Sequence, residues 1–515
     1  MKAKRIITMA LAISVLASAT VLTGCKKEEK VNGETPTITY WSEFSGVMET
    51  GAESFADLPC MQELMKKTGV NIEYVHPSST DYAEQFNLMV ASGEYPDIIE
   101  YGIYSYPGGP QAAIDDGVII PLNDVFEKYC PNITKYLKEN PEVEKAIKTD
   151  NGQYFCFPAI YNDDYLQVYS GFIARKDLLD KLGMENPETI DEWTEMLRGF
   201  KSLGIESPFI STPGNLYAIT QAFGIHAGRY IEDGVVKYGI FEPEYKEAVQ
   251  LLHDWYQEGL IEPNLATVDN NMVKQNMISG ASAVGYGNTG GGIGTWMNAN
   301  KNNPTYNLTA LKYPVLKKGD TAFYGQREHA AALSLTASIS TQCENVEAAA
   351  KVLDYAYGEE GLLLFNFGIE GESYEMIDGY PTYTEKVTNN ENGADMSTMI
   401  AYYARPNGIG PSIRDRRYME QFAALPQQKE SIELWSQTEA KEHMLPQVTL
   451  TAEERDQISA KQTDITSYVN QMFLKYITGV EDMSSFDSFV EKVREMGAED
   501  INKVYQAAYD RYMAR

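Results

Sequence analysis

Apolar and polar positions alternate between strand-like and helix-like spacing in the hundred residues at the start of the chain. Residues 37–41 form a β-rich run, residues 55–67 carry apolar side chains at helical spacing, and residues 70–74 alternate as in a strand. A second helix is predicted over 82–90 and a third strand over 96–100. This order of elements predicts a parallel α/β sheet with right-handed crossovers, on which ligands bind beyond the carboxyl ends of the strands.

A second α/β region follows the first. Residues 168–175 predict a strand that leads into a helix over 177–182. Residues 189–192 form a capping box ahead of a helix whose apolar face includes Trp193. From Thr451 onward the pattern predicts mostly helix, and no Pro- or Ser-rich linker divides the body. We therefore expect two α/β lobes between which the chain crosses more than once, with a helical C-terminal part.

The N-terminal segment has the pattern of a secretory signal. Three basic residues precede an apolar run over 6–21, which is too short and too rich in small residues to span a membrane comfortably. The run ends in Leu22-Thr23-Gly24-Cys25, which resembles the bacterial lipobox. The resemblance implies a signal peptide over 1–24, a lipidated Cys25, a flexible spacer over 25–35, and anchoring at the extracellular face of the cell membrane. An ordinary signal peptide with a chance cysteine is the alternative.

The charge balance limits the partners of the chain. Its 515 residues include 73 acidic and 43 basic residues, which gives a formal net charge of −30. Such a surface repels nucleic acid and anionic lipid, so no nucleic-acid partner is expected and membrane contact is assigned to the lipid anchor only. A neutral or cationic ligand fits this charge better than a polyanion, although a purely solubilising charge is an equally good interpretation.

The cysteines after Cys25 do not follow a metal-binding pattern. Cys60, Cys130, Cys156 and Cys343 show no CxxC and no zinc spacing. A chain of this size does not need disulfides to fold, so buried thiols are favoured and a Cys130–Cys156 bridge is the alternative.

Catalytic signatures are missing from the sequence. There is no HExxH, GxSxG or CxxC motif, and the five histidines are scattered without ligand spacing. His226 is interpreted as a structural histidine rather than a ligand contact. We therefore predict a binding protein without a cofactor, not an enzyme. Because acidic residues are abundant, the sequence is compatible with a catalytic pair of carboxylates. A lipid-anchored secreted glycoside hydrolase or lyase is therefore the alternative function.

Several segments resemble one protein family in their order and spacing. They are 92–99 (SGEYPDII), 151–158 (NGQYFCFP), 175–183 (RKDLLDKLG) and 368–374 (GIEGESY). Together they are similar to the extracellular solute-binding lipoproteins of bacterial ABC sugar importers, in the large lipoprotein branch of family 1. The resemblance covers nearly the whole chain.

This resemblance implies a type II periplasmic-binding-protein-like fold, with a ligand cleft between two lobes that close like a hinge. The first lobe is expected to hold 36–172 and 286–332, and the second lobe 173–285 and 333–515. The implied function is the substrate-binding component of an ABC transporter, a monomer that captures an oligosaccharide and delivers it to the permease subunits. Many relatives carry a calcium-binding loop where this chain has 201–208. That segment lacks the alternating oxygen ligands, so no metal is expected there.

A sugar site needs aromatic faces for the ring, and carboxylates, amides or arginines for the hydroxyls. The ends of the strands, the crossings between lobes, and the glycine-rich segment 285–292 are expected to supply these groups. Loss of the Trp41 side chain is expected to weaken binding without affecting folding. The candidate ligand-binding residues are Trp41, Glu43, Glu100, Tyr101, Tyr161, Asn162, Asp163, Tyr286, Asn288, Trp296, Arg327, Glu370 and Arg405.

Overall fold

A computed structural model describes residues 35–44, 51–390, 394–405 and 410–515. The predicted signal peptide, the lipidated Cys25 and nearly all of the predicted spacer lie outside the described residues. Residues Pro36–Arg515 form one compact unit. None of its described helices is both long and apolar enough to cross a membrane.

The described residues form fourteen strands and a larger number of helices. The strands are β1 (Thr37–Trp41), β2 (Asn71–Val75), β3 (Ile98–Glu100), β4 (Phe157–Tyr161), β5 (Ser170–Arg175), β6 (Phe209–Ile210), β7 (Arg229–Glu232), β8 (Val235–Tyr238), β9 (Val284–Asn288), β10 (Leu308–Ala310), β11 (Ala331–Ile339), β12 (Tyr374–Ile377), β13 (Tyr380–Tyr383) and β14 (Ser412–Arg414). The α-helices are α1 (Pro59–Thr68), α2 (Tyr82–Ser92), α3 (Gly109–Asp115), α4 (Asn123–Tyr129), α5 (Pro131–Glu139), α6 (Pro141–Ala146), α7 (Asp164–Gln167), α8 (Lys176–Leu182), α9 (Ile190–Ser202), α10 (Pro213–Thr220), α11 (Pro243–Gln257), α12 (Asn270–Ser279), α13 (Thr295–Ala299), α14 (Val346–Tyr355), α15 (Glu359–Phe367), α16 (Glu385–Thr388), α17 (Met396–Tyr403), α18 (Arg416–Phe422), α19 (Pro426–Trp435), α20 (Ala440–His443), α21 (Ala452–Thr478), α22 (Phe486–Glu495) and α23 (Ala498–Ala514).

The first lobe is built on a six-stranded sheet with the order β14-β4-β11-β3-β1-β2. Strand β1 runs parallel to β2 and β3, whereas β11 runs antiparallel to both β3 and β4. The predicted strand–helix alternation at the start of the chain is therefore confirmed by β1, α1, β2, α2 and β3. The core beneath this sheet includes Ile38, Phe155 and Ile339, all nearly inaccessible to solvent.

The second lobe is built on a four-stranded sheet with the order β10-β5-β9-β6. Strand β5 runs antiparallel to both neighbours, and β6 runs parallel to β9. Its core includes Phe172, Trp193, Trp255 and Phe473, so the predicted apolar face of α9 and the C-terminal helices pack on the same sheet. The predicted capping box is present, because Thr189 Oγ1 accepts a hydrogen bond from the Glu192 amide at 3.2 Å.

The strand pairing disagrees with the predicted lobe boundaries at two places. Strand β10 pairs with β5, so the segment after residue 286 stays in the second sheet rather than joining the first. Strand β11 lies between β3 and β4, so the segment after residue 333 belongs to the first sheet rather than the second. The chain thus passes between the sheets after β4, again between β10 and β11, and a third time after β14. These boundaries depend on which distant strands pair, and a local pattern of apolar residues does not predict that pairing.

The four cysteines after Cys25 are free thiols in the structure. Cys60, Cys130 and Cys156 are buried and Cys343 is half-buried. The thiol interpretation is therefore favoured over the Cys130–Cys156 bridge, and burial raises the pKa of Cys60 to about 12, which keeps it protonated.

Candidate functional site

A hollow of about 330 Å³ lies in the first lobe at the carboxyl ends of β1 and β3. We call it the first-lobe hollow. The irregular part of β11, where its register with β4 shifts between Ala332 and Thr336, forms the opposite wall. The hollow is lined by Glu43, Tyr82, Glu100, Tyr101, Gly102, Ser105, Ser334, Leu335, Thr336 and Gly410. Its position is where the parallel part of the sheet was expected to bind ligand.

The aromatic wall of the first-lobe hollow is Tyr82 and Tyr101, and Trp41 lies behind it. The Trp41 ring is only 6% exposed and stacks on Tyr82 with centroids 4.8 Å apart. Tyr101 stacks on Phe86 at 4.0 Å. Trp41 is thus a packing residue, and removing a buried tryptophan ring destabilises a fold. The expectation that loss of the Trp41 side chain leaves folding unaffected is wrong for this reason.

Glu100 and Arg405 are held by each other. Arg405 Nη2 donates to Glu100 Oε1 at 2.9 Å, and the Tyr40 hydroxyl donates to Glu100 Oε2 at 2.6 Å. Burial opposes the charge on Arg405, but the adjacent Glu100 carboxylate holds the pKa of the guanidinium above its usual value. Both side chains are almost fully buried, so Arg405 is a structural partner of Glu100 and does not line either hollow described here.

A larger hollow of about 550 Å³ lies in the second lobe. We call it the second-lobe hollow. Helix α10, the β7–β8 hairpin, strand β9, the crossing before β11 and helix α21 contribute its walls. Its side chains with ring or polar chemistry are Asn215, Tyr217, Gln221, His226, Arg229, Tyr238, Tyr286, Tyr313, Tyr324, Gln326, Arg327, Thr466 and Asn470.

The tyrosines of the second-lobe hollow are held in place by one another and by the backbone. The Tyr286 and Tyr313 hydroxyls lie 3.2 Å apart, and the Tyr313 hydroxyl donates to the Ser170 carbonyl at 2.9 Å. The Tyr324 ring lies 4.3 Å from the His226 ring. These contacts fix the orientation of the rings before any ligand is present. The entropic cost of ordering these side chains on binding is therefore smaller.

Three polar atoms of residues that line the second-lobe hollow are buried without a partner. Gln221 Oε1, His226 Nδ1 and Arg327 Nε have no hydrogen-bond partner of acceptable geometry among the described residues. An unmet buried polar group costs about 1–3 kcal/mol, so such atoms in a hollow favour a ligand that carries hydrogen-bonding groups. His226 Nδ1 is thus short of one well-formed hydrogen bond, and a structural role for this histidine rather than ligand contact stays a prediction.

His226 also makes stability depend on pH. Burial lowers the pKa of His226 to about 4 from 6.5, although the Gly228 backbone beside the ring opposes the shift. Between pH 6.5 and about 4, the unfolded chain binds a proton at this residue and the folded chain does not, so stability falls as the pH falls. We expect His226→Gln to flatten the loss of melting temperature across this window. Melting curves of the variant and the wild type that stay parallel from pH 7 to 4 would contradict the assignment.

The first and second crossings are tied together by a polar cluster next to the second-lobe hollow. Gln326 Oε1 accepts hydrogen bonds from the Tyr169 and Ser170 amides at 2.8 and 3.1 Å. Arg327 Nη2 donates to Gln167 Oε1 at 2.8 Å and also pairs with Asp164. Arg327 also lines the second-lobe hollow, and its charge is already matched by a carboxylate, so its contact with a ligand stays a prediction.

The two hollows are close along the chain. Ser334 of the first-lobe hollow follows Arg327 of the second-lobe hollow by seven residues. Seven extended residues span at most roughly 25 Å. Arg327 and Ser334 therefore lie no farther apart than this.

The structure brings some of the predicted residues to the hollows and leaves others outside them. Glu43, Glu100 and Tyr101 line the first-lobe hollow, and Tyr286 and Arg327 line the second. Contact of these five with a ligand stays a prediction. The hollows are also lined by residues that were not among the candidates: Tyr82, Tyr217, Gln221, His226, Arg229, Tyr324 and Gln326. A local excess of tyrosine and amide residues around 215–238 and 313–326 was the only available signal.

The remaining predicted residues have structural partners or lie apart from both hollows. Asp163 caps α7 by accepting from the Tyr165 amide, and Asn288 Oδ1 accepts from the Gly292 amide at 3.0 Å. Trp296 is 3% exposed. Tyr161 is half-buried at the end of β4, and Asn162 and Glu370 are exposed; these three residues line neither hollow.

The described residues contain no group of three or more His, Cys, Asp or Glu side chains that could hold a metal ion. The segment 201–208 begins with the last two residues of α9, where Lys201 Nζ donates to the Gly259 carbonyl at 3.2 Å. The expectation that no calcium binds there stays a prediction.

Comparison with known proteins agrees with a two-lobed α/β binding fold. The family model described as bacterial extracellular solute-binding protein matches residues 49–362, more than half of the chain. The chain belongs to this family, which is one of binding proteins rather than enzymes.

Individual relatives are similar over almost their whole length. The chain is 26% identical over 491 residues to the fructooligosaccharide ABC transporter substrate-binding protein FusA of Streptococcus pneumoniae serotype 4 (strain ATCC BAA-334 / TIGR4), covering 88% of this chain and 87% of FusA. It is 23% identical over 524 residues to the lipoprotein LipO of Bacillus subtilis (strain 168), covering 95% of this chain and 97% of LipO. The crystal structure of the alginate-binding protein AlgQ2 without calcium ion superposes with a TM-score of 0.74 at 22% identity, covering 94% of this chain and all of AlgQ2. This last similarity supports the fold alone.

Proposed function

We propose that this protein is the substrate-binding component of an ABC importer, and that it captures an oligosaccharide and delivers it to the permease subunits. The observation that carries the proposal is the second-lobe hollow, where five tyrosines surround buried polar atoms without partners. Tyrosine faces cover the apolar sides of sugar rings, while amide and imidazole atoms bind hydroxyls. A relative named for fructooligosaccharide supports a saccharide ligand.

The proposal extends to how the protein works on the membrane. The two lobes close on the ligand about the three crossings, as in hinge closure, and the closed form docks on the permease. The lipid on Cys25 holds the monomeric receptor at the extracellular face of the membrane. The relative named as a lipoprotein and the family description support this placement.

The carboxylates of the first-lobe hollow do not favour hydrolysis over binding. Catalysis of glycoside cleavage requires two carboxylates that are free to act as acid and as nucleophile or base. Glu43 and Glu100 both line this hollow, but both oxygens of Glu100 already accept hydrogen bonds from Arg405 and Tyr40. We therefore propose that the protein leaves its sugar intact.

The direct test is calorimetry of the purified protein against a panel of neutral and acidic oligosaccharides, followed by chromatography of the recovered sugar. We expect saturable binding of at least one oligosaccharide, recovered unchanged. We further expect Tyr324→Ala to weaken that binding by about 1–2 kcal/mol, roughly tenfold, because it removes an aromatic face of the hollow.

The matched control is Tyr129→Ala. Tyr129 is an exposed tyrosine on α4 that lines neither hollow, so its loss should leave the affinity unchanged. Equal effects of the two variants would remove the second-lobe hollow from the proposal. Cleaved sugar in the recovered fraction would support the glycoside hydrolase alternative instead.

A further inference from the structure

The charged side chains of the second-lobe hollow are all basic, in a chain with a strong excess of acids. Asp and Glu outnumber Lys and Arg by 73 to 43 in the whole sequence. The described lining of the second-lobe hollow nevertheless contains no aspartate or glutamate and contains two arginines, Arg229 and Arg327. The local charge is therefore opposite to that of the protein as a whole.

Arg229, on β7, contacts two aromatic rings. Its guanidinium carbon lies 4.8 Å from the Tyr238 ring centroid and 4.8 Å from the Tyr505 ring centroid. Its Nε donates to Asn502 Oδ1 at 2.8 Å. These contacts hold the guanidinium through two ring contacts and one hydrogen bond at Nε, and they leave its two terminal nitrogens as the groups for a partner.

Arg229 has no counter-ion among the described residues. Its terminal nitrogens make no hydrogen bond or ion pair there, and Glu232 on the same strand pairs with Lys237 instead. Burial lowers the pKa of Arg229, and only Tyr238 and Tyr505 counteract that shift. An unpaired, partly desolvated cation is costly unless an anion reaches it.

The other buried arginines show the contrast. Arg405, Arg175 and Arg515 each pair with a carboxylate, at 2.9, 2.7 and 2.5 Å respectively. Arg327, the second arginine of the hollow, pairs with Asp164. Arg414 also lacks a carboxylate partner, but it lines neither hollow and donates to the Arg405 carbonyl. Arg229 is thus the arginine of the hollow whose charge is unmatched.

We propose that Arg229 receives the carboxylate of an acidic sugar residue, so that the second-lobe hollow selects short oligosaccharides containing uronic acid over neutral ones. This inference rests on the proposed function. A guanidinium offers two parallel N–H groups that match the two oxygens of a carboxylate, while the tyrosines cover the faces of the sugar ring. The formal charge of −30 opposes long, highly charged chains, so a short oligosaccharide fits the site better than a polymer.

The experiment compares each acidic ligand with its own methyl ester. Oligomers of galacturonate, glucuronate and mannuronate of two to four residues are titrated into the full mature protein by calorimetry, alongside the esters, in which the ring is kept and the charge is removed. We expect at least one acid to bind about tenfold or more tightly than its ester, and we expect raised salt to narrow that ratio.

Variants of Arg229 locate the effect. Arg229→Gln should weaken binding of the acid about tenfold while changing binding of the ester less than about twofold. If Arg229→Gln proves unfolded, Arg229→Lys supplies the test, because it keeps the charge without the planar fork and should bind the acid more weakly while still preferring it to the ester. Arg198→Gln, which removes an exposed arginine paired with Glu258 outside the hollow, is the control and should change neither affinity.

The failure of this inference is distinguishable from the failure of the proposed function. Equal affinity for acids and esters, tighter binding of neutral oligosaccharides, or an equal loss for both ligands in the variant would overturn the role of Arg229 and leave sugar binding standing. Absence of binding by every saccharide, acidic or neutral, would overturn both.

Discussion

Arg405→Ala is expected to lower the free energy of unfolding by about 3–5 kcal/mol, because it leaves the buried Glu100 carboxylate without its cation. The two side chains are 6% and 7% exposed, and their contact joins residues 305 positions apart in the chain. The guanidinium carbon also lies 4.5 Å from the centroid of the Phe55 ring, so the substitution removes packing as well as charge. Urea denaturation followed by circular dichroism measures the change directly.

Two further variants show whether the cost comes from the unpaired charge. Arg198→Ala removes one partner of an exposed ion pair with Glu258, whose side chains are 56% and 40% accessible, and should cost less than about 1 kcal/mol. Arg405→Met combined with Glu100→Gln removes both charges and should recover part of the stability that Arg405→Ala loses. An Arg405→Ala variant as stable as Arg198→Ala would contradict the buried pair.

Local patterns predicted the elements of this fold well because the signals for helices and strands are short-range. The predicted capping box at Thr189 forms, and a second capping box at Thr451 begins the predicted C-terminal helices, each from residues three positions apart. The assignment of 286–332 to the first lobe disagreed with the structure because it depended on strand pairing. Strands β10 and β5 pair across 133 residues, from Leu308 to Arg175, and no local pattern records such a partner.

Candidate residues reach the hollows where a general rule about sheets applied and at two places beside the expected crossings. Glu43, Glu100 and Tyr101 lie at or just after the ends of parallel strands, and the rule that ligands bind at their carboxyl ends placed them at the first-lobe hollow. Tyr286 and Arg327, from the glycine-rich segment and a crossing, line the second-lobe hollow. The expectation that Trp41 faces a ligand does not match its packing, because a tryptophan at the end of a strand can pack inward as readily as outward. Here the Trp41 ring stacks on Tyr82. The second-lobe hollow is assembled from helices and crossings that are distant in sequence, so Tyr217 and Tyr324 could not be associated in advance.

Gly239 couples the stability of the second lobe to the shape of its hollow. The residue follows β8, and its amide donates to the Gly228 carbonyl at 3.2 Å. A Cβ atom placed on Gly239 would lie 2.0 Å from the His226 carbonyl oxygen and 3.2 Å from the Ala227 Cα. Both His226 and Ala227 line the second-lobe hollow, and the neighbouring atoms are backbone that cannot rotate away.

Gly239→Ala is therefore expected to destabilise the protein by about 3 kcal/mol and to weaken ligand binding, because the 226–228 segment must move to admit the methyl group. Gly214→Ala is the matched control. Gly214 also lines the second-lobe hollow, but a Cβ atom there meets nothing within 4 Å, and the position lies in α10, where alanine is a better helix former than glycine. Denaturation and calorimetry compare the stability and the affinity of the two variants.

If Gly239→Ala matched Gly214→Ala in stability and affinity, the close approach of Gly239 to His226 would not exist in solution. If Gly239→Ala loses more affinity than its lower stability accounts for, the 226–228 backbone itself is part of the binding surface.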